Sequence, residues 1–260
     1  MIRTSKLDLR RTTDAQSAKE LAAPADIPAI ESRLDSAFDR SNLPIAATHR
    51  RALAEYVALL AQWNRAYNLT AVRDPFAMID RHVLDSLTAL DFLAGSRLLD
   101  VGTGAGLPGL VLAIVRPDVC CTLLDPVRKK TRFCAHAAMT LGLGNVEVAS
   151  ERLDRHRPPH RYSTVISRAT LSVAALVAGA RPLLDAPGRI IAMKGPRPEA
   201  EIDALEPGDR EGLEIRVEPA GAGIKAGVGP PTTLVVLDRP DGVDGVPMRE
   251  NVTIRPHSTR

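Results

Sequence analysis

The residues best suited to chemistry lie in the middle of the chain. Asp100 stands in a short apolar run, Leu98, Leu99 and Val101, and three alternating glycines follow: Gly102, Gly104 and Gly106. A short apolar run bounded by glycines reads as a fully buried strand. Alternating glycines let the chain turn with positive φ and let a ligand approach the backbone. Leu110–Val115 then reads as an apolar helix. Strand, turn and helix together present backbone N–H groups to a polar ligand. A second acid, Asp125, closes the strand Thr122–Asp125. A carboxylate about 20 residues after such a turn can accept from both hydroxyls of a ribose. Because Pro126 follows it, the plainer role for Asp125 is a helix cap, but the glycine turn favours the ribose. Leu153 and Asp154 lie in the loop after the third strand. There an apolar side chain can pack on a base and an acid can bind its edge, or the segment is an ordinary loop. Arg168 ends the fourth strand, where a guanidinium suits phosphate or guanine recognition, or a surface ion pair.

Two ligands compete for the glycine turn. Gly104, Gly106 and Gly109 match the spacing G-x-G-x-x-G of dinucleotide sites. The wider register, Asp100 through Gly106, resembles the first motif of class I methyltransferases, which bind S-adenosylmethionine (AdoMet). That register fits better. It begins where the apolar strand ends, and Asp100 offers a carboxylate to a cationic methionine moiety, which a pyrophosphate site would avoid. In class I folds the end of the fourth strand faces the transferred methyl. Here it reads Val165-Ile166-Ser167-Arg168, with neither an Asn-Pro-Pro-type motif for exocyclic amines nor a Pro-Cys nucleophile. Such an end suits a substrate that needs no lone-pair activation and no covalent attack.

The elements that must position these residues fall into two regions. From Ile27 to about Leu93 the pattern is helical. Ile30, Leu34 and Phe38 share one face, and Leu53, Val57, Leu60 and Ala61 continue on the next helix after Pro44. Asp74-Pro75 opens a further helix with proline at its first position. Its apolar face is Met78, Ile79, Val83, Leu87 and Leu90. Within it, Arg81, His82 and Asp85 fall on one face at helical spacing. They form a polar cluster that ties the helices to the sheet, or they touch RNA directly. After Gly95, strands alternate with helices. The strands are Arg97–Val101, Cys120–Leu124, Val146–Ala149, Thr164–Ser167, Arg189–Met193, Leu213–Val217 and Thr233–Leu237; Val127–Leu141 and Leu171–Leu184 are helical. This predicts an α/β fold, a doubly wound, mostly parallel seven-stranded sheet with an N-terminal helical cap. Ligands then bind at the carboxyl ends of the central strands. The domain boundaries read as a tail over 1–27, the cap over 28–93, the ligand-binding domain over 94–240 and a second tail over 241–260.

Composition narrows the class. The net charge is only +3, but basic residues cluster. One cluster is Arg128, Lys129, Lys130 and Arg132, and another is Arg152, Arg155, Arg157 and Arg161. Each is either a solvated face or a set of phosphate contacts. No apolar run approaches a membrane span and no signal core opens the chain, so a soluble cytoplasmic protein is expected. Three cysteines, with Cys120 and Cys121 expected in a buried strand, give no disulfide framework and no metal-ligand spacing.

Several segments together resemble a family, the 16S ribosomal RNA guanine-nitrogen-7 methyltransferases, also called the glucose-inhibited division protein B family. They are Trp63-Asn64, Tyr67-Asn68-Leu69-Thr70, Val72-Arg73-Asp74-Pro75, Arg81-His82-Val83-Leu84-Asp85-Ser86, Asp100 to Gly109, Leu123-Leu124-Asp125, Ile166-Ser167-Arg168-Ala169 and Met193-Lys194-Gly195. Ala105 stands where proline is common, and Pro126 where a serine often follows the acid. The resemblance implies AdoMet contacts at Gly102, Leu107, Asp125, Leu153, Asp154 and Arg168, beside Asp100, Gly104 and Gly106 from the motif itself. It implies transfer to nitrogen-7 of a guanine, with Arg168 positioning and no general base. The partner is then 16S rRNA or the small ribosomal subunit, bound by a monomer through Arg128, Lys129, Lys130, Arg132, Arg152, Arg155, Arg157 and Lys194, without a metal. Two rivals stay open: a nucleotide-dependent oxidoreductase, and a non-catalytic RNA-binding assembly factor with a relic pocket.

Overall fold

A computed structural model describes residues 26–41, 43–219 and 232–241. The tails read over 1–27 and 241–260 fall almost wholly outside these residues. The helical cap comprises α1 (Ile27–Ser41) and α2 (Ala47–Tyr67). A composite helix follows: α3 (Pro75–Met78), a π-helical segment (Ile79–Leu84) and α4 (Asp85–Leu87). Asp74 caps it, its carboxylate accepting from the N–H groups of Phe76 and Ala77, with Pro75 at the first position. The π-helical turn in the middle was not legible in the apolar spacing.

The catalytic-sized domain runs β1 (Arg97–Val101), α5 (Gly109–Val115), β2 (Cys120–Leu124), α6 (Arg128–Thr140), β3 (Val146–Ala149), β4 (Tyr162–Arg168) and α7 (Val173–Ala180). It continues with β5 (Leu184–Lys194), α8 (Glu199–Asp203), α9 (Pro207–Arg210), β6 (Glu214–Pro219) and β7 (Thr233–Arg239). The seven strands form one sheet in the order β3-β2-β1-β4-β5-β7-β6. The first five are parallel; β7 runs antiparallel to both β5 and β6, so β6 points the same way as the first five. The order reverses between β1 and β4, which is where open α/β sheets bind ligands.

Packing follows the strand alternation. Leu98 packs towards α5, whereas Leu99 and Val101 pack towards α7. Asp100, two residues from Leu98, therefore lies on the α5 side. All seven residues of α5 are buried, as expected of a helix sandwiched between the cap and the sheet. Cys121 is buried as expected, but Cys120, the first residue of β2, is exposed. Between β3 and β4 the chain makes only a single 3-10 turn, Leu153–Arg155, where the other crossovers carry helices.

Candidate AdoMet and RNA site

The glycine turn is held by groups that sequence spacing alone does not reveal. Asp100 is fully buried. Its Oδ2 accepts from Thr103 Oγ1 at 2.6 Å and from the Gly109 N–H at 2.8 Å. A Cβ on Gly109 would stand 2.7 Å from that same oxygen, so glycine is required there. The other oxygen, Oδ1, has no hydrogen-bond partner among the described residues. Burial raises the Asp100 pKa to about 6, against the lowering pull of its two donors and of nearby Arg168. Tyr56, on the buried face of α2, donates its hydroxyl to Ala105 O at 2.7 Å and so supports the turn from behind. A tyrosine set among Leu53, Val57 and Leu60 was the available signal, because a buried phenol needs a partner.

The three glycines differ in what surrounds them. A Cβ on Gly102 would stand 2.5 Å from Thr170 Cγ2, and one on Gly106 would stand 2.3 Å from Leu110 Cδ1. Those two are packing glycines. A Cβ on Gly104 would meet nothing nearer than Gly102 O at 3.8 Å. Its backbone N–H donates to Asp125 Oδ2 at 3.0 Å. Asp125 Oδ1 accepts from the Val127 N–H at 2.8 Å, and Lys130 Nζ reaches Oδ2 at 3.4 Å. Asp125 is thus a buried acid that locks the turn and the entry to α6. A carboxylate has about four lone-pair sites and three are taken, so about one remains for a ribose hydroxyl unless Lys130 gives way.

A cavity of about 1020 Å³ opens beside this turn, lined by Val101, Gly102, Leu124, Leu153, Asp154 and Thr170 among others. It brings together Gly102, Leu153 and Asp154 from the expected set. Asp100, Gly104, Gly106, Leu107, Asp125 and Arg168 lie outside its lining. Leu107 is buried, its N–H bonded to Thr103 O at 2.8 Å. Asp154 is exposed and held below the usual carboxylate range by its hydrogen bond from Arg152. The loop carrying Leu153 is pinned by His156, whose ring nitrogens meet Glu151 Oε1 at 2.6 Å and Tyr162 Oη at 2.9 Å.

Among 580 curated proteins that match, one from Alkalilimnicola ehrlichii is 46% identical over 172 residues, 66% of this chain and 78% of its own. One from Chromohalobacter salexigens is 45% identical over 192 residues, 72% of this chain and 92% of its own. Both are named ribosomal RNA small subunit methyltransferase G. The family model for rRNA small subunit methyltransferase G matches residues 49–208. The chain belongs to this family. Solved structures agree on the fold. A SAM-dependent methyltransferase from Aquifex aeolicus aligns with TM-score 0.50 and 19% identity, covering 66% of this chain and 97% of its own. The O-methyltransferase TomG from Streptomyces achromogenes, solved with SAM, aligns with TM-score 0.53 and 15% identity, covering 79% and 96%.

AdoMet is the cofactor of such a family, and the residues present fit it. A buried carboxylate with one oxygen unpartnered suits an ammonium, and the open direction at Gly104 suits a close-lying ligand. The surface residues are less uniform. Arg128, Arg132, Arg155 and Arg157 are exposed. Lys129 is exposed and donates to Tyr67 O at 2.9 Å, and Arg152 is spent on Asp154. Lys194 departs from expectation. It is nearly buried, paired with Glu201 at 2.7 Å and bonded to Leu171 O, so it joins β5 to α8 and the start of α7 rather than facing solvent. Arg168 is not an exposed arginine either: it is half-buried and paired with Asp85 at 3.0 Å. The family segments Trp63-Asn64 and Tyr67–Thr70 build a loop. Buried Asn64 donates to Val72 O and accepts from the Thr70 N–H, and Thr70 Oγ1 meets His82 Nε2 at 2.8 Å. Asp85 and the Arg81 carbonyl tie the cap to the sheet through Arg168, whereas His82 bonds Thr70 within the cap, so the three do not act as one cluster. No group of potential metal ligands occurs among the described residues, and no helix there is long and apolar enough to cross a membrane.

Proposed function

We infer that the protein transfers a methyl group from AdoMet to nitrogen-7 of a guanine in 16S ribosomal RNA. The observation that carries this reading is the fully buried Asp100 with its free oxygen, beside the open side of Gly104, in a chain of this family. When bound, AdoMet supplies an electrophilic methyl group on a sulfonium centre. Asp100 would hold the ammonium of the methionine moiety, Asp125 a ribose hydroxyl, or both if Lys130 gives way, and Leu153 and Asp154 the base. An unpartnered buried carboxylate is costly to retain, which argues against a relic pocket. Family membership sets aside the oxidoreductase.

Nitrogen-7 of guanine has an in-ring lone pair and no proton at neutral pH, so no residue has to remove one. The protein's task is alignment, which can supply roughly 7–11 kcal/mol of a barrier. His82 fits this picture. Burial and the Arg168 charge lower its pKa to about 4, so it is neutral and cannot act as a proton shuttle near neutrality. Positive charge develops on the guanine ring, so Arg168 positions a substrate group away from the reacting ring.

Two outcomes test the reading. Single-turnover methylation by AdoMet-saturated enzyme should be flat between about pH 6.5 and 8.5, and nucleoside mass spectrometry should identify 7-methylguanosine. A rate rising tenfold per pH unit, or methylation at another atom, defeats it. The exposed cations on α6 and in the 152–161 loop should also contact phosphate. RNA affinity then falls steeply with salt, and neutralising one contacting residue lowers the log–log slope by about one. Equal slopes for the wild type and a variant with Arg128, Lys129, Arg132 and Arg157 neutralised would sink this assignment.

A further inference from the structure

The composite helix of the cap delivers two acceptors to the carboxyl end of β4. Arg168 Nη1 carries two protons. One goes to Asp85 Oδ2 at 3.0 Å and the other to Arg81 O at 3.3 Å. Asp85 is itself held from a second strand, because its Oδ1 accepts from Thr232 Oγ1 just before β7. The donating segment is stiffened in turn. His82 binds Thr70 and the Arg81 carbonyl, and Ser86 Oγ donates to His82 O at 2.6 Å. Among the described residues, Nε and Nη2 of Arg168 have no protein acceptor, although the side chain is only 19% exposed. Those two nitrogens form the edge of a guanidinium that matches the two oxygens of a carboxylate or phosphate.

We propose that Asp85 is a positioning residue of the methyl-transfer site: by fixing Arg168 through Nη1 it presents the Nε–Nη2 edge to a two-oxygen anion of the substrates. This rests on the methyltransferase reading given above. Two sources supply that chemistry, the carboxylate of AdoMet and a phosphodiester of the RNA. The arrangement accounts for features that cofactor binding leaves unexplained. The π-helical turn, a form that recurs at functional sites, spans Ile79–Leu84 and places the Arg81 carbonyl and Asp85 against one nitrogen. Ala169, directly after Arg168, has φ +53°, an uncommon conformation for a non-glycine residue, where the chain leaves the strand. Both sides of the arginine are therefore constrained while one edge of it is left uncommitted.

The test compares full-length wild type, Asp85→Asn, Arg168→Gln and the double variant. Single-turnover transfer to 16S rRNA at saturating AdoMet is measured, with urea unfolding as the check on the fold. Asp85→Asn should slow transfer at least ~10-fold, and the double variant should be no slower than Arg168→Gln alone, because residues acting as a unit are non-additive. If the carboxylate is the anion, calorimetry shows AdoMet weakened several-fold by Asp85→Asn and decarboxylated AdoMet unchanged. If the phosphodiester is the anion, AdoMet affinity holds while RNA affinity falls and its salt slope drops by about one. An Asp85→Asn enzyme with unaltered rate and affinities overturns the proposal. So does a double variant slowed by the product of the single losses, which is the mark of two residues acting independently. Should Asp85→Asn fail to fold, Thr232→Val removes one bond to the same carboxylate. It should give a smaller loss in wild type and none in the Arg168→Gln background; no loss in either overturns the proposal. A wild type that does not methylate 16S rRNA would defeat the methyltransferase reading itself.

Discussion

Gly104→Val should lose AdoMet binding by more than ~100-fold while the chain stays folded. Gly104 has φ +59°, a region where a side chain costs roughly 1–2 kcal/mol, within what a domain of ordinary stability tolerates. Among the described residues its Cβ meets no atom nearer than 3.8 Å, and on the proposed reading the isopropyl group would occupy space that the cofactor needs. Its N–H donates to Asp125, so any shift of the turn also moves the proposed ribose acid. Gly106→Val is the contrasting case. Its Cβ would stand 2.3 Å from Leu110 Cδ1, and overpacking adds about 1–3 kcal/mol to the backbone strain. Calorimetry with AdoMet and urea unfolding should therefore separate the two: lost binding with a near-native midpoint for Gly104→Val, and a lowered midpoint for Gly106→Val. Wild-type AdoMet affinity in a folded Gly104→Val protein would remove the glycine turn from the site.

What was legible in the sequence was what local spacing determines. Leu98, Leu99 and Val101 are buried on both faces of β1, and the glycines need positive φ; both facts follow from residues within a few positions of one another. The boundaries of β1 and β2 fall where the buried runs end, because parallel strands covered on both faces are buried along their length; β3, an edge strand with Glu147 exposed, was marked by its two valines. Partners drawn from far along the chain were not legible. Tyr56 reaches Ala105 across 49 residues, and Arg168 reaches Asp85 across 83. Spacing put Arg81, His82 and Asp85 on one helical face, but the π-helical turn gives His82 to Thr70 and Asp85 to Arg168. Lys194 is the last residue of β5, where solvent exposure is the default; only the folded chain brings Glu201 to it.

Asp100 gives the other large effect, and its sign depends on pH. Its carboxyl titrates at about 6 in the folded chain against 3.8 for the unperturbed group, chiefly because it is buried. A carboxyl with a raised folded pKa contributes stability below the unfolded value and loses it as pH rises through the folded value. The ligand-free protein should therefore weaken from about pH 4 to pH 7 by an amount on the order of 3 kcal/mol, at 1.36 kcal/mol per pKa unit. Asparagine has the same shape and no charge to bury. Asp100→Asn should match the wild type near pH 4 and exceed it by about 3 kcal/mol at pH 8 in urea unfolding. The cofactor reverses the order. With its ammonium beside Oδ1 the carboxylate gains the partner it lacks, so AdoMet affinity should rise with pH up to about 6 in the wild type and stay flat and weaker in Asp100→Asn. On the proposed reading, the residue would keep the empty protein less stable than it need be in exchange for a charged contact made only when AdoMet is present, the usual trade at a functional site. An Asp100→Asn protein no more stable than wild type at pH 8 would show that the buried charge is already compensated within the chain. Unchanged AdoMet affinity would show that Oδ1 meets no part of the cofactor.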